Sequence, residues 1–296
     1  MFKPKKTILM TGGTGYLGSN IAQALCDDYQ IIILKRSFSP MKRIEDITGK
    51  VELFNIDEIN LKNIFLHKKI DAVLHCATHY GRKSKDILEI VEANLVLPLS
   101  LLTLSKANTV SCFINTDTIL DKGINAYSLS KSQFSDWLRI LAGDIVCVNM
   151  ELEHFYGPFD DSSKFVTHLI HSILKGESEI RLTKGEQKRY FIYIDDVVNA
   201  FRLIIEKSCT FGKGYHSFQV GSLQSISVRA FSEMIKQLTG NVSTSLNFGA
   251  IPYRDREIMD PVLDVSLLME LGWHIDVPLE EGLRRTIEAE KEQLCP

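Results

Sequence analysis

The chain has 296 residues, 45% of them hydrophobic and 24% charged, with a formal net charge of -3. That length can bury a substantial core as one large or two small domains, and the near-balanced charge gives no electrostatic reason to hold nucleic acid or an anionic membrane surface. Any basic site is therefore local.

The start, MFKPKK then TILM, breaks at Gly12 before reaching the length of a secretory h-region. No run of about 18 apolar residues follows. Cys26, Cys76, Cys112, Cys147, Cys209 and Cys295 are scattered without a CxxC pair, so a reduced, cytoplasmic protein with no metal site is expected.

Short apolar runs alternate with helical patterns: TILM, a helix from about Tyr16 to Leu25, IIIL (31 to 34), VELF (51 to 54), DAVLHCA (71 to 77), SCFIN (111 to 115) and IVCVNM (145 to 150). This rhythm predicts a doubly wound parallel sheet with helices on both faces. From about residue 156 the chain is richer in loops, starting at YGPFDDSS, with helices at about 196 to 206 and 228 to 239. Ser227 is a candidate N-cap for the latter helix and Gly240 its stop. Asp195 and Asp196 suit the exposed N–H groups of a helix start.

Gly12, Gly15 and Gly18 form GxxGxxG directly after the first strand. Such a turn lets the backbone approach a pyrophosphate while the following helix offers unpaired N–H groups. At the end of the second strand, Lys35, Arg36 and Ser37 stand where an acid would accept the ribose hydroxyls of NAD. A basic end favours the 2′-phosphate of NADP(H), the bland alternative being a solvated strand terminus.

Tyr127 and Lys131 in YSLSK share one helix face, and Thr116 ends the strand SCFIN upstream. The order Thr, Tyr, Lys and the TGxxGxxG turn resemble the extended short-chain dehydrogenase/reductase superfamily, in particular its epimerase, dehydratase and reductase members. The resemblance extends through DAVLHCA, EANLVLPLSLL, EHFYGP, KGEQKRYFIYIDDVVNAF, IPYRDRE and LGWHIDVPLEEGLRRT, nearly the whole chain.

The resemblance implies a Rossmann-type NADP(H)-binding domain at 1–155, with 184–220 partly returning to it, and a smaller mixed nucleotide-sugar domain at 156–183 and 221–296. It implies a catalytic set of Thr116, Tyr127 and Lys131, in which Tyr127 exchanges a proton with a substrate oxygen while hydride moves on the nicotinamide. Cofactor contacts are implied for Gly12, Thr14, Gly15, Tyr16, Leu17, Gly18, Lys35, Arg36, Ser37, Asn55, Ile56, Cys76, Ala77, Thr78 and Asn94, besides Tyr127 and Lys131. Asn94 equally fits a purely structural amide. Substrate contacts are implied for His79, Thr116, His154, Lys164, Phe165, Arg189 and Arg254. His154 replaces the usual Asn and fits either a structural histidine or a sugar contact.

Dehydratases of the group carry Asp-Glu after the catalytic Thr; here the sequence is Thr116, Asp117, Thr118. NTDT, VNMELEHFYGP and LTKGEQKRYFIYIDDVVNA resemble the CDP-abequose synthase-like branch, which reduces a 4-keto group with NADPH. The implied function is reduction of a CDP- or dTDP-linked deoxyhexose for a surface polysaccharide, with a nucleotide-sugar 4-epimerase as the alternative. Phe134, Trp137, Leu138, Ile140 and Leu141 give the Tyr127 helix more apolar surface than one core stripe needs, which suggests a homodimer.

Overall fold

The computed structural model of the chain describes residues 4–82 and 86–294; Cys295 lies outside them. The chain divides into two compact units, Met1–Leu152 with Val198–Gln219, and Glu153–Val197 with Val220–Pro296.

In the first unit the apolar runs become strands β1 (Thr7–Thr11), β2 (Gln30–Lys35), β3 (Val51–Asn55), β4 (Ala72–His75), β5 (Cys112–Thr118) and β6 (Val146–Leu152). With the strand Gly214–Val220 beyond β6, they form a seven-stranded sheet in the order β3, β2, β1, β4, β5, β6. Ile31, Ile32 and Ile33 of β2 are all fully buried, as expected where helices cover both faces. This is a Rossmann-type doubly wound α/β sheet. The order reverses between β1 and β4, and the glycine turn after β1 sits at that switch point, where such sheets bind ligands.

Helices Ile87–Ala107 and Ala126–Leu141 pack on the sheet through Leu101, Leu102, Phe134 and Leu138, which join Leu9, Val73 and Phe113 in one core. Phe134 and Leu138 are wholly buried, whereas Trp137 and Ile140 face solvent. The first of these helices contains a five-residue π turn, Glu92–Val96. Pro98 has no N–H to give the carbonyl of Asn94, so a regular α ladder cannot run through this point. The helix is also long and apolar enough by composition to cross a membrane. Reading the sequence for uninterrupted apolar runs passes over it because Glu89 and Glu92 break the pattern. Its residues Ile90, Leu101 and Leu102 are buried inside the unit.

The second unit is mixed. Helices Phe165–Leu174, Val228–Thr239 and Leu279–Leu294 accompany three two-stranded pairs, of which Lys188–Arg189 with Ile226–Ser227 is antiparallel and the others parallel. Ser227 caps its helix by accepting the Ala230 N–H at 3.1 Å, and Gly240 ends it at φ 70°. Phe231 of that helix stacks on Phe191 with centroids 3.6 Å apart. Buried Glu290 accepts the Phe159 N–H at 2.6 Å and pairs with His171 Nε2 at 2.7 Å, fixing the loop that contains YGPFDDSS.

Asp195 and Asp196 do lie in the first turn of helix Ile194–Lys207. Asp196 does not serve its own helix end, however: its carboxylate accepts the N–H groups of Asp276 at 2.9 Å and Val277 at 3.3 Å. It ties a distant loop instead.

Candidate active site

The turn after β1 is shaped by steric necessity. A Cβ on Gly12, whose φ is 69°, would lie 2.5 Å from Ala77 N, and one on Gly18 would lie 2.2 Å from the Gly12 carbonyl oxygen. Only glycine lets the helix Tyr16–Leu25 start this close to the strand ends. That helix has no side-chain cap and no acid in its first turn, so its N–H groups and positive dipole end suit an anion. Thr14 and Leu17 flank the turn half-buried, while Tyr16 is buried beneath Arg43. This cradle fits a dinucleotide pyrophosphate.

At the ends of β2 and β3 the predicted residues are knitted together. Lys35 Nζ donates to Asn55 Oδ1 at 2.8 Å, and Ile56 N donates to the Lys35 carbonyl at 2.8 Å. The N–H and hydroxyl of Ser37 both donate to Asp57, at 2.8 and 2.6 Å, which holds that carboxyl below its usual range. Arg36 lies over the Phe38 ring at 4.7 Å. Asp57 was not foreseen as part of this corner; its distance of 20 positions from Ser37 leaves no local signal.

After β4, Thr11 Oγ1 pairs with His75 Nδ1 at 2.8 Å and accepts the Ala77 N–H at 3.2 Å. His75 is fully buried, which pushes its imidazole well below the usual range. Cys76 follows with its thiol pushed up to about 12 by burial. Thr78 is half-buried on the same segment. The π turn delivers Asn94, fully buried, to this segment: Oδ1 accepts the His79 N–H at 2.8 Å, and Nδ2 donates to the His79 carbonyl at 2.9 Å and to Ser130 Oγ at 3.0 Å.

Helix Ala126–Leu141 begins with a capping box, in which Asn125 Oδ1 accepts the Ser128 N–H at 2.9 Å and Ser128 Oγ accepts the Asn125 N–H at 3.3 Å. That box fixes the turn bearing Tyr127. Lys131, one turn on, is 1% exposed and donates to the Thr116 carbonyl at 2.6 Å. Thr116 Oγ1 donates to the His75 carbonyl at 2.9 Å. Lys131 and Thr116 are therefore joined at the end of β5, and Tyr127, one helical turn before Lys131, reaches the same strand end through a hydrogen bond with Thr118.

Burial raises the Tyr127 phenol above its ordinary range, opposed by a hydrogen bond with Thr118. Burial also lowers the Lys131 ammonium, opposed by the nearby Asp117 carboxylate. Tyr80 packs against Tyr127 with centroids 5.0 Å apart. Asp117, Thr118 and Tyr80 lie outside the expected set; the first two stand beside Thr116 in sequence, and Tyr80 beside His79.

In the second unit, His154 donates through its N–H at 2.9 Å to Glu153 Oε2 and pairs with the same oxygen through Nδ1 at 2.5 Å. Lys164 caps helix Phe165–Leu174 positionally, pairs with Asp160 at 3.0 Å and lies over Phe155 at 4.4 Å. Phe165 lies 6.4 Å from Phe231. Arg189 is 6% exposed; it donates to the Lys188 and Ile258 carbonyls and to Glu257. Arg254, half-exposed, pairs with the same Glu257 at 2.8 Å. The two arginines predicted for substrate are thus joined by one acid, Glu257, whose place three residues after Arg254 was the available signal.

The profile of the NAD dependent epimerase/dehydratase family matches residues 8–221. The chain belongs to that family. It is 33% identical over 297 residues to a CDP-abequose synthase of Salmonella muenchen, covering 97% of this chain and 99% of the relative. A second CDP-abequose synthase, from Salmonella typhimurium, is 30% identical and covers 96% of this chain and 98% of its own. Among solved structures, the UDP-glucose 4-epimerase of Thermotoga maritima with UDP-glucose superposes at TM-score 0.85, with 24% identity, 97% of this chain and 99% of the other. The UDP-glucuronic acid 4-epimerase of Bacillus cereus with UDP-glucuronic acid and NAD gives 0.84, with 22% identity and coverage of 97% and 99%.

Proposed function

We propose that the protein is an NADPH-dependent 4-ketoreductase acting on a CDP- or dTDP-activated 6-deoxy or 3,6-dideoxy hexose in the cytoplasm, supplying a surface polysaccharide. The observation that carries the reading is the convergence of Thr116, Tyr127 and Lys131 at the end of β5, in a chain whose near full-length relatives are CDP-abequose synthases. The glycine turn and the β2 end would hold the dinucleotide, and a bound reduced nicotinamide would supply hydride to the substrate carbon. The first unit is then the cofactor domain, and the second, with His154, Lys164, Phe165, Arg189 and Arg254, the nucleotide-sugar domain.

Tyr127 is the proton donor. Its buried phenol stays protonated at neutral pH, so it delivers a proton to the ketone oxygen as hydride reaches the carbon, and the tyrosinate left behind recovers a proton from water. Lys131, a cation buried beside it, stabilises that tyrosinate. Thr116 must turn its hydroxyl from the His75 carbonyl to donate to the substrate oxygen. The basic β2 end, Lys35 and Arg36, supports NADP(H) over NAD(H).

The test is NADPH consumption with enzymatically made 4-keto-6-deoxy and 4-keto-3,6-dideoxy sugars carrying either CDP or dTDP. Stoichiometric loss with one of them is expected. No loss with any, together with NAD copurifying and 4-hydroxy sugars interconverting, would mark a 4-epimerase instead.

A second copy of the chain is the proposed partner of the apolar face of the first unit. Leu129, Trp137 and Ile140 on one helix and Ile87, Leu88 and Val96 on its neighbour are exposed there, more apolar surface than a monomer usually leaves to water.

A further inference from the structure

The turn after β4 presents an aromatic ring to the proton donor. His79 has both of its backbone polar groups held by the buried amide of Asn94. Its ring nitrogens are engaged along the same segment: Nδ1 accepts the Gly81 N–H at 3.1 Å, and Nε2 lies 3.6 Å from Glu89. Gly81 has φ 69°, in the left-handed region that glycine adopts without strain, and the chain bends there. Tyr80 is the residue between these two fixed points.

The Tyr80 ring packs on Tyr127 with centroids 5.0 Å apart and planes 44° from parallel. The Arg82 guanidinium lies over the same ring at 5.1 Å, a cation–π contact that adds a second hold on it. Even so, Tyr80 is 42% exposed. Backbone and ring are thus fixed for a side chain that leaves nearly half of its surface open, and that surface is mostly carbon. It lies beside the phenol assigned to proton transfer.

Proton transfer brings a ketone oxygen to about 3 Å from the Tyr127 phenol. With the carbonyl at C4 of a hexose, C3 and C5 flank the reacting carbon, and the groups they bear meet whatever packs beside the donor. A hydroxyl set against an aromatic ring loses its water and gains no equivalent partner. A methylene at C3, or a methyl group as C6, loses nothing there.

We propose that Tyr80 is a specificity-determining residue: its ring, fixed against Tyr127, receives a carbon that has lost its hydroxyl near the reacting centre, and so selects deoxygenated sugars over their hydroxylated counterparts. The proposal rests on the nucleotide-sugar reading above and deepens it by naming the side chain that senses the missing oxygen. No bond forms or breaks at Tyr80, so its effect falls on which sugar is held. A hydrophobic wall rejects an added hydroxyl by roughly 100-fold at most, which sets the expected preference at about 10- to 100-fold.

The test measures equilibrium affinity by calorimetry in the full-length protein saturated with NADPH. The ligands are CDP- and dTDP-linked 4-hydroxy hexoses in three forms: fully hydroxylated, 6-deoxy and 3,6-dideoxy. Cofactor and sugar are then both already reduced, and no ketone is present to turn over. Wild type should bind a deoxygenated form about 10- to 100-fold more tightly than the form with the added hydroxyl, and the pair showing the gap names the carbon that Tyr80 meets. Tyr80→Ser should bring that ratio to within about threefold by weakening the deoxygenated ligand. Tyr80→Phe should keep the preference, since the ring remains. Tyr80→Gln, whose amide gives a hydroxyl its partner, should also erase it, and carries the test if Tyr80→Ser does not fold.

The same ratio in wild type and in whichever of these two polar variants folds, or no preference in wild type, would overturn the proposal. Loss of the preference in Tyr80→Phe would transfer selection to the phenol hydroxyl and overturn it equally. A preference that falls as expected, in a protein that reduces no ketone in the NADPH assay, would instead sink the reaction reading and leave the Tyr80 assignment standing.

Discussion

Asn94 and His79 exchange two hydrogen bonds, amide to carbonyl at 2.9 Å and N–H to amide oxygen at 2.8 Å. A single side chain thereby substitutes for a strand partner just past the end of β4. The same amide also reaches Ser130, between Tyr127 and Lys131. Asn94→Ala would strand a buried backbone donor and acceptor, at a cost of about 1–3 kcal/mol. The expected result is a Tm lower by about 2–4 °C for each kcal/mol; a Tm equal to wild type by calorimetry would contradict the bracing role.

Tyr127→Phe removes one hydroxyl from a partly buried ring. Ketone reduction should fall about 10²–10⁴-fold, the usual worth of a positioned proton donor. Reduced dinucleotide affinity, read by fluorescence titration, should stay within about twofold, which separates a chemical defect from a misfolded site.

Much of this was legible from the chain. β1 and the helix after it emerge where the apolar run and the glycine spacing put them, because a buried parallel strand and a crowded turn leave few residue choices. The grouping of Thr116, Tyr127 and Lys131 was open to reading because Thr116 follows the apolar run SCFIN and Tyr127 and Lys131 lie one helical turn apart. The bond of Asp117 to Asn149 was not, since Asn149 comes from another strand and only the β5–β6 register brings them side by side. The same holds for Glu257 with Arg189, and for Asp57 with Ser37. Long-range polar pairs have no periodicity to betray them.

Gly18→Ala would force a methyl to 2.2 Å from the Gly12 carbonyl oxygen. The turn must open, and affinity for the reduced dinucleotide should drop more than about tenfold, equivalent to about 1.4 kcal/mol. Gly49→Ala is the matched control because nothing lies within 4 Å of its added carbon. Equal affinity of the two variants in a fluorescence titration would remove the turn from the cofactor site.

Arg36→Ala should weaken binding of the dinucleotide bearing a 2′-phosphate while leaving its non-phosphorylated counterpart nearly unchanged. A charge-assisted contact is worth about 1.5–3 kcal/mol, or roughly 10–150-fold in affinity. Parallel titrations with both cofactors decide it, and an equal loss for each would assign Arg36 to the adenine or to the fold.

Ile140 is 74% exposed. Ile140→Asp should therefore leave the thermal transition of the protomer intact while converting a dimer to monomer in light scattering at micromolar concentration. A wild-type mass already equal to one chain would dispose of the self-association proposal.

The last strand of the first unit's sheet, Gly214–Val220, is separated from β6 by residues 153–213. During synthesis the β6 segment VCVNMEL, buried along almost its whole length in the finished protein, leaves the ribosome with one edge unpaired. At about 5–20 residues per second that edge stays open for several seconds. An apolar open edge is a template for pairing with another chain. A gene cut after β6 to isolate the cofactor domain would make this exposure permanent, so the expressible unit is the whole chain.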